Sequence, residues 1–529
     1  MKRDISTLSN GNFDAVIIGG GIHGAVIAYE LAVAGYKTAI IDKNDFTAAT
    51  SANSLKIIHG GIRYLQDFDI QRMRESIYSR SYFLTKAPHL VKTLPCIMSV
   101  QKHSSIKPFM YRVALVLNDV VSWDRNQGVT KDKMIPRSQF LETSKVAKLL
   151  PKIDANNISG AIFWHDAVAL DSERLVLYFI QKAVSNGAVA ANYVKAQEIN
   201  TPQNRVRGIT ARCQFSGKTF DILTKMVINC TGPWLFDFLH LHPSGRQLKP
   251  NYALALNLVV EPLLSDSYAV GIEGQGGYRK DGSLMKKEKR LFFFMPWHGK
   301  TMIGTYYRKY HGNVSDFSIG RDDINAFVSN IHDVYPSANI TAQKICFYHA
   351  GLVPIRQIDD RSNSSFTLKK HTKIIDHERK GGPKGIISID STKYTTAAVT
   401  AKKLLKYLSK KNKHIAPIGM KRVPTETRYS ASNKAIDLLN HLPLKMDEIR
   451  RFIRQEMAFT LSDVIFRRTN LGALENLSDN LLQSLAQSMG QELGWNETKI
   501  VHEVEAVKQY FLPLKVLRET HDDSGKKNG

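Results

Sequence analysis

The distribution of apolar residues near the start of the chain predicts a strand, a helix and a second strand in direct succession. Phe13–Gly19 is short and almost wholly apolar, which indicates a parallel strand buried on both faces. Ala25–Ala34 has the spacing of a helix, and Gly35 follows it as a typical C-terminal cap. Thr38–Asp42 is a second short apolar run, so the pattern predicts a βαβ unit. The first twelve residues are mostly polar and are predicted to be disordered.

Two later parts of the chain also carry strand signals. Met226–Cys230 is a buried apolar run that leads into a threonine and a glycine. Arg290–Trp297 and Thr301–Gly304 lack the apolar spacing of a helix, and we expect them to pair as strands around His298-Gly299.

Towards the end of the chain the pattern changes to helices alone. Ala401–Lys413 predicts a helix with an exposed basic face, and Pro417 and Pro424 follow it. We therefore predict a domain boundary near 412–425. The helices predicted beyond this boundary are Met446–Arg468, Leu477–Leu493 and Glu497–Tyr510.

Length and charge narrow the class of protein. At roughly 150 residues per domain, a chain of 529 residues holds about two to four domains. Hydrophobic residues make up 43%, which excludes a disordered chain, and no apolar run approaches the ~18 residues of a membrane span. The formal net charge of +25 leaves three partners open: nucleic acid, an anionic membrane surface or an anionic small molecule.

Cysteine usage and the N-terminus bear on location. The four cysteines are too widely spaced for a CxxC pair and too few for a disulfide framework, and no metal site is predicted. The N-terminus lacks the apolar segment of a secretory signal. A reducing cytoplasm is therefore the expected location.

The turn between the first strand and the helix carries a dinucleotide-binding pattern. In the GxGxxG run, Gly19 permits the tight turn, Gly21 lets the backbone approach a pyrophosphate, and Gly24 allows close packing of helix on strand. The helix N-terminus supplies amide donors for phosphates. Asp42 ends the next strand, where a carboxylate can bind a ribose hydroxyl. A lone GxGxxG is also compatible with a plain glycine-rich turn, but the strand, helix, second strand and acid together favour a nucleotide site.

Two features bear on which nucleotide binds. Asp42 would repel the ribose phosphate of NADP. Val227–Gly232 is typical of flavoproteins of this fold, in which a late strand returns to the FAD and ends at a threonine and a glycine, here Thr231 and Gly232. On its own such a run is equally a buried strand with a turn. Paired with the N-terminal pattern, it favours FAD.

A longer segment after Asp42 resembles a known family. Ala48–Leu65 is similar to the flavin-contacting stretch of FAD-dependent glycerol-3-phosphate dehydrogenases, which reads approximately T-S-x-x-S-S-K-L-I-H-G-G-L-R-Y-L. The chain thus resembles a divergent member of this aerobic-type family, within the D-amino-acid-oxidase-like flavoprotein superfamily. The likeness continues, in family order, at Asp171–Leu175, Thr231–Trp234, Pro296-Trp297, Ile303–Thr305, Glu456 and Arg467–Gly472.

The resemblance implies a fold and a division of the chain. We expect an α/β fold in which a doubly wound, Rossmann-like FAD-binding domain is interleaved with a mixed β-sheet substrate domain, followed by an all-helical C-terminal domain. The FAD-dependent oxidoreductase module is expected at 13–411 and the C-terminal helical domain at 418–525. The FAD-binding parts are expected at about 13–80, 165–240 and 345–411, and the substrate parts at about 81–164 and 241–344.

The resemblance also implies which residues contact the cofactor, and FAD is the one cofactor expected. The predicted FAD contacts are Gly19, Gly21, Gly24, Asp42, Thr50, Ser51, Lys56, His59, Thr231, Gly232 and Thr395.

The substrate half departs from the family pattern. Val353 replaces the arginine that binds the substrate phosphate in the family's Val-Arg-Pro-Leu segment. Arg356 lies three residues on and could substitute from another direction, and a second family arginine falls near Lys369 or Lys370. Lysine neutralises phosphate but cannot form the planar bidentate fork of arginine. The family's Gly-Gly-Lys-Leu-Thr-Thr loop retains Lys393 and both threonines but loses both glycines.

Dehydrogenation of an alcohol by a flavin needs a base for the hydroxyl proton and, for an anionic substrate, cations. His59 could be the base or could only hydrogen-bond the flavin loop. Arg63 could bind phosphate or stabilise an alkoxide, Tyr64 could contact substrate or be a core aromatic, and Lys393 could meet the flavin or the substrate. The predicted catalytic residues are His59, Arg63, Tyr64 and Lys393, and the predicted substrate-binding residues are Arg63, Arg356 and Lys369.

These features lead to one main hypothesis and three alternatives. The main hypothesis is oxidation of sn-glycerol 3-phosphate to dihydroxyacetone phosphate by hydride transfer to FAD, with a quinone or another acceptor taking the electrons. The alternatives are the same FAD chemistry on a different hydroxy or amino substrate, a non-catalytic paralogue, and a basic FAD-containing protein that binds nucleic acid. Charge alone supports the last of these.

The lysine-rich segments bear on the remaining partner. Lys402–Lys413 and Lys286–Arg290 are typical of a solvated surface, but such clusters also bind anionic membranes. The resemblance favours the second role and implies peripheral attachment to the cytoplasmic face of the inner membrane. No oligomeric state is predicted.

Overall fold

A computed structural model of the chain describes residues 1–102, 108–239, 251–274, 290–357, 366–411, 444–474 and 477–526. The domain boundary predicted near 412–425 lies outside these residues, and so do Lys286–Lys289 and Lys413 of the lysine-rich segments.

A six-stranded sheet, called here the parallel sheet, begins with the predicted βαβ unit. Ala15–Ile18 and Thr38–Ile41 are wholly buried strands that pair in parallel, and the helix Ile22–Val33 connects them. Only the edge strand, Lys373–Asp376, pairs antiparallel to its neighbour. The strands lie in the order Lys373–Asp376, Ile386–Asp390, Val227–Asn229, Ala15–Ile18, Thr38–Ile41 and Val189–Ala191.

A second, larger sheet is mixed, as predicted for the substrate domain. Ala269–Gly274 pairs in parallel with Lys92–Gln101. The other strand pairings described in this sheet are antiparallel. The predicted strand pair around His298-Gly299 is confirmed as Arg290–Trp297 and Lys300–Tyr310. The strands lie in the order Phe366–Leu368, Ile345–Gln357, Tyr252–Val260, Lys300–Tyr310, Arg290–Trp297, Ala269–Gly274, Lys92–Gln101, Ile158–Val168 and Ile57–Ile58, with Gln139–Leu141 paired to Ile158–Val168.

The structure places two stretches of the predicted FAD-binding parts in the large sheet. Ile345–Gln357 and Phe366–Leu368 from the predicted part 345–411 are strands of this sheet, and so is Ile57–Ile58 from the predicted part 13–80. Ile345–Gln357 pairs with the strand Tyr252–Val260, and Phe366–Leu368 pairs with Ile345–Gln357. The chain returns to the parallel sheet only at Lys373–Asp376.

The prediction of a disordered N-terminus is wrong. Ile5–Asn10 forms a short helix, because the Asp4 carboxylate caps its first turn by accepting the backbone N–H of Thr7 at 3.0 Å. Leu8 on this helix is completely buried in the core of a third, small sheet. The strands of this sheet lie in the order Asn12–Phe13, Thr219–Thr224, Gly208–Cys213 and Val194–Asn200.

Helices cover the parallel sheet and flank the large one. Ile22–Val33 packs against Ser172–Ser185 and Ala397–Lys411, and their apolar faces form one core with the parallel sheet. The predicted lysine-bearing helix is thus confirmed over Ala397–Lys411. The other helices of this part are Ile70–Lys86, Pro108–Val121, Thr143–Leu149, Leu235–Leu239 and Arg321–Val334.

The C-terminal part is all-helical, as expected, but one predicted helix is broken. Met446–Arg468 was predicted as continuous, whereas the α-helix Met446–Glu456 ends at Met457, whose φ is +56°. A π-helical turn, Asp463–Arg468, follows after a loop, because Asp463 accepts the backbone N–H groups of Phe459 and Thr460. The remaining helices are Leu471–Leu474, Asp479–Leu493, Glu497–Gln509 and Leu512–Lys526.

A buried ion network joins these helices to the parallel sheet. The Asp45 carboxylate, in the loop after Thr38–Ile41, accepts Arg467 Nε at 2.7 Å and Arg468 Nη1 at 2.7 Å and Nη2 at 3.0 Å. It also accepts Asn192 Nδ2 at 2.8 Å. Burial alone would raise the pKa of Asp45, but the two arginines outweigh it and hold the pKa below its ordinary value. Asp45 is therefore anionic and fully paired.

Replacing Arg468 with alanine should destabilise the docked C-terminal helices. The change leaves the buried Asp45 carboxylate with fewer cationic donors, which costs about 3–5 kcal/mol. We expect a lower midpoint in thermal unfolding and faster proteolysis of the C-terminal helices. Arg454→Ala is the matched control, because this arginine is 69% exposed and its surface pair contributes about 1 kcal/mol or less. Equal losses in both variants would contradict the role given to Asp45.

Candidate functional site

The glycine-rich turn forms a cradle that side chains would fill. Gly19 has φ of +106°, and a Cβ built on it would lie 2.5 Å from the carbonyl oxygen of Cys230. A Cβ on Gly24 would lie 1.9 Å from the carbonyl oxygen of Gly19, so the helix touches the strand at this point. Gly21 faces the hydroxyl of Ser51. A side chain at any of the three positions would therefore collide with a neighbouring backbone atom or, at Gly21, with the hydroxyl of Ser51.

Two predicted cofactor residues hold this turn in place. The carboxylate of Asp42 accepts the N–H of Gly20 at 2.7 Å and of Asn44 at 2.9 Å. Ser51 Oγ accepts the N–H of Ile22 at 3.0 Å, at the first turn of the helix. Burial raises the pKa of Asp42 to about 6 despite these two bonds. Each carboxylate oxygen keeps a free lone pair for a ribose hydroxyl.

A cavity of about 580 Å³ is lined by the glycine turn and also by His59 and Lys393, and the part lined by these two residues is called here the far end. Its volume falls in the range of cofactor and small-molecule sites. Thr231-Gly232 lines the cavity beside the turn, since a Cβ on Gly19 would lie 3.0 Å from the backbone nitrogen of Thr231. Asn229 Oδ1 accepts both the N–H and the hydroxyl of Thr231. The predicted site residues that line the cavity are Gly19, Gly21, Asp42, Thr50, Ser51, His59, Thr231, Gly232, Lys393 and Thr395.

Lys56 is the predicted cofactor residue that the structure places elsewhere. Its ammonium donates to the carbonyl of Ala52 at 2.7 Å, to Ser172 Oγ at 2.9 Å and to the Glu173 carboxylate. Lys56 is only 2% exposed, and these three acceptors use all three of its donors. The motif residues Ser172 and Glu173 thus bind Lys56 and brace the loop behind the cavity, so no donor of Lys56 remains for FAD.

Cationic groups gather around Tyr64 at the far end. Lys393 Nζ donates to the Tyr64 hydroxyl and lies 4.4 Å from the centre of its ring. The guanidinium of Arg72 lies 4.0 Å from the same ring centre, and Arg72 Nε is buried without a hydrogen-bond partner. Burial, reinforced by Arg72 and Arg63, lowers the pKa of Lys393 to about 7. An anion at this end would restore the charge of Lys393 and pair it.

His59 lies half-buried beside this cluster. Its ring meets the ring of Tyr64 edge-on at 5.8 Å between centres. Burial first, and then the charges of Lys393, Arg72, Arg63 and Arg80, lower the pKa of His59 well below its ordinary value. The imidazole is therefore neutral at pH 7 and has a nitrogen free to accept a proton.

The three predicted substrate-binding residues have different positions. Arg63 is exposed and, like the predicted catalytic residue Tyr64, does not line the cavity, but its charge lowers the pKa of both Lys393 and His59. Arg356 is exposed on the strand Ile345–Gln357 and lies outside the cavity lining, so it does not replace the arginine absent at Val353. Lys369 pairs with Asp390 at 2.9 Å, and this carboxylate, rather than the lysine, lines the cavity.

Several residues of the site were not predicted from the sequence. Thr305 Oγ1 donates to Asn257 Oδ1 at 2.8 Å, and both line the cavity together with Tyr307. Asn257 had a signal, because it is the one amide in the otherwise apolar run Tyr252–Val260. No feature of the sequence pointed to Arg72, because it lies at the start of a helix and belongs to none of the motifs.

These observations test whether FAD fits the residues present. The cradle at Gly19, Gly21 and Gly24, the amides of the helix start and the Asp42 carboxylate suit the diphosphate and ribose of a dinucleotide. Thr231 and Gly232 line the cavity beside this cradle. The residues fit the group.

Comparison with protein families gives two matches that together cover most of the chain. Residues 14–404 match the family described as FAD dependent oxidoreductase. Residues 400–500 match the family described as the C-terminal domain of alpha-glycerophosphate oxidase.

Two similar proteins illustrate the relationship. A glycerol-3-phosphate dehydrogenase of Synechocystis is 29% identical over 78% of this chain and 73% of its own length. An alpha-glycerophosphate oxidase of Lactococcus lactis is 31% identical over 67% of this chain. The chain spans only 56% of the length of this second relative.

Solved structures show the same fold. The glycerol-3-phosphate dehydrogenase of Bacillus halodurans, solved with FAD, superposes with a TM-score of 0.68 at 20% identity. The superposition covers 97% of this chain and 96% of that one. The L-alpha-glycerophosphate oxidase of Mycoplasma pneumoniae, solved with FAD bound, gives a TM-score of 0.54 at 16% identity over 75% of this chain and 95% of its own.

Replacing Gly24 with alanine should abolish cofactor retention. The added Cβ would lie 1.9 Å from the Gly19 carbonyl oxygen, so the helix must move away from the strand and open the cradle. We expect purified Gly24→Ala to carry little FAD by absorbance and to unfold at a lower temperature. Gly320→Ala is the matched control, because its Cβ would meet nothing within 4 Å. Full flavin content in Gly24→Ala would contradict this prediction.

Proposed function

Because the chain belongs to the FAD dependent oxidoreductase family, we propose that it oxidises sn-glycerol 3-phosphate to dihydroxyacetone phosphate and passes the electrons to a quinone or another acceptor. The C-terminal match and the names of the relatives support this substrate. The observation that carries the proposal is the pair of cations, Lys393 and Arg72, on the ring of Tyr64, with Arg63 near enough to lower the pKa of Lys393. Lys393 lines the same cavity as the glycine turn that fits FAD.

Each end of the cavity then has its own task. The turn Gly19–Gly24, Asp42, Ser51, Thr231 and the buried Thr395 would hold the cofactor. FAD, when bound, supplies the acceptor for a hydride from the substrate carbon.

The far end would bind the phosphate of the substrate. Lys393 faces the cavity and is held by the Tyr64 hydroxyl, so its ammonium is positioned without being neutralised. Arg72 and Arg63 add positive potential behind it. In this buried setting a dianionic phosphate gains more from three nearby cations than it would in water. The cluster supplies the charge that Val353 lacks, although it approaches from another side.

A proton must leave the substrate hydroxyl as its carbon loses a hydride. His59 is the candidate acceptor, because it lines the same cavity as Lys393 and is neutral at pH 7. Its lowered pKa makes it a weaker base than a free imidazole, and an anionic substrate beside the cations would raise that pKa. The amide of Asn257, held by the hydroxyl of Thr305, offers a fixed hydrogen-bonding partner for the substrate on the same wall. The hydroxyl proton would thus pass to His59 while Lys393 holds the other end of the molecule.

One observation favours a different substrate for the same chemistry. Val353 lines the cavity where the family's phosphate-binding arginine is expected, and Arg356 is exposed outside it. A hydroxy or amino substrate with a smaller anion, such as a carboxylate, would fit this reduced site. Loss of turnover with retention of FAD would instead favour the non-catalytic paralogue, and salt-sensitive RNA affinity would favour the nucleic-acid-binding alternative.

We also propose a cytoplasmic location with peripheral attachment to the cytoplasmic face of the inner membrane. The helix Ala397–Lys411 supports it with exposed Lys402, Lys406 and Lys410. Each such cation near an anionic bilayer contributes about 1 kcal/mol. Within the part of the chain that the structure describes, no helix has both the length and the apolar character to cross a membrane.

Anaerobic addition of glycerol 3-phosphate should bleach the flavin absorbance of the purified protein. Glycerol, which lacks the phosphate that the Lys393 cluster would bind, should bleach it at least ~100-fold more slowly at equal concentration. Absorbance at the oxidised flavin band follows both reactions. No bleaching by glycerol 3-phosphate, with bleaching by a hydroxy or amino acid, would overturn the proposed substrate in favour of the alternative.

The KM for glycerol 3-phosphate should depend on pH through Lys393. Below its pKa of about 7 the ammonium attracts the phosphate, and above it the neutral amine does not, so KM should rise with pH across this range. Lys393→Arg keeps the charge at all these pH values and should remove the rise. The same variant controls for titration of the substrate phosphate itself. An identical rise in both proteins would exclude Lys393 as its source.

A further inference from the structure

The helix Pro108–Val121 exposes an unusually apolar face. Only Leu115 on this helix is fully buried, whereas a helix on a protein surface normally turns its apolar stripe inwards. The residues recur three or four positions apart, so they share one side of the helix. The exposed residues are Phe109 at 68%, Met110 at 55%, Val113 at 37%, Val116 at 63%, Leu117 at 46% and Val120 at 62%.

The apolar face extends beyond the helix. Trp123, two residues past its end, is 80% exposed, and Phe68 is 81% exposed in the segment before the helix Ile70–Lys86. Arg74 of that second helix ties the two together, because it donates to the carbonyl of Val121 at 2.8 Å and pairs with Asp124. We call the set formed by the exposed residues of Pro108–Val121 with Phe68 and Trp123 the apolar face. Contiguous exposure of this kind marks an interaction surface.

Basic residues lie at the rim of the apolar face. Arg112, 52% exposed on the helix itself, pairs with Glu142, whereas Arg137 is exposed next to Ser138, whose hydroxyl accepts Asn118 Nδ2 at 2.8 Å. Lys102 is exposed shortly before the helix. The whole chain carries +25, so a second copy would be repelled at this surface and an anionic partner attracted.

We propose that the apolar face docks the protein on an anionic lipid bilayer, with the helix Pro108–Val121 lying in the plane of the interface. This inference rests on the proposed membrane attachment and names the element that makes it. At 14 residues the helix is about 21 Å long and lies on the bilayer rather than across it. Trp123 and Phe109 are suited to the interface, where aromatic rings concentrate, and the arginines at the rim meet anionic headgroups.

Docking at this face would place the substrate end of the cavity near the lipid. The helix Pro108–Val121 packs against the segment Ile62–Asp67, which carries Arg63 and Tyr64 of the cationic cluster.

Vesicle binding by the holoenzyme tests the proposal. Co-sedimentation with phosphatidylglycerol vesicles should exceed that with phosphatidylcholine vesicles, and the double variant Val116→Asp with Val120→Asp should bind anionic vesicles about tenfold more weakly or worse. Both valines are over 60% exposed, so the fold should be retained. Val501→Asp is the matched control, because Val501 is 60% exposed on the C-terminal helix Glu497–Gln509 and should not alter binding.

The outcomes separate the inference from the function on which it rests. If the double variant binds anionic vesicles as strongly as the wild-type protein, the apolar face is not the docking surface, although the protein still attaches to membranes. A wild-type protein that binds no vesicles, but forms dimers by light scattering that the double variant lacks, would make the face a contact between copies and overturn the lipid partner. Flavin bleaching by glycerol 3-phosphate, followed in the same preparations, should be equal in all three proteins, so a wrong substrate would be recognised independently.

Discussion

The arrangement of the domains depends on one buried carboxylate. Asp45 lies in the loop after the second strand of the parallel sheet and accepts Arg467, Arg468 and Asn192. A charge buried in this way is costly unless it is fully paired, so the loop keeps its position only when the C-terminal helices are docked. Asp45 also lines the cavity. Arg467 and Arg468, which lie 422 and 423 positions further along the chain, therefore determine the shape of the cavity where the cofactor would bind. The helical part is thus a component of the site as well as a cover.

Local patterns account for the parts of the structure that could be predicted. The βαβ unit, Asp42 and the strand pair around His298-Gly299 depend on short-range spacing and turn residues, and all appear as expected. The errors arose where distant contacts decide. Lys56 belongs to a motif that resembles flavin-contacting segments, yet Ser172 and Glu173, more than a hundred positions away, bind its ammonium. The break at Met457 and the burial of Leu8 also depend on packing partners that no local pattern shows.

The substrate end shows how a site can keep its charge while its residues change. Position 353 has lost the arginine expected from the family resemblance, and Arg356 is exposed to solvent. Positive potential remains, because Arg72 and Lys393 meet at the ring of Tyr64 from two separate segments and Arg63 precedes Tyr64 in the chain. What differs is that position 353 in the cavity lining holds a valine, so no guanidinium fork faces the substrate from that position. Specificity in this chain would therefore depend more on electrostatic attraction and less on the fixed geometry of a bidentate contact.

The order of strands in the parallel sheet also bears on how the protein is made. Ala15–Ile18 leaves the ribosome early, but the neighbour that flanks it opposite Thr38–Ile41 is Val227–Asn229, and the next strand outward is Ile386–Asp390. At roughly 5–20 residues per second, synthesis of that last strand follows the first by about 20 to 70 seconds. The first strand waits for Val227–Asn229 through about half of this interval, and until then the edge that faces it has no strand partner and could pair with other chains. Shielding of this edge during translation would therefore favour correct folding of the parallel sheet.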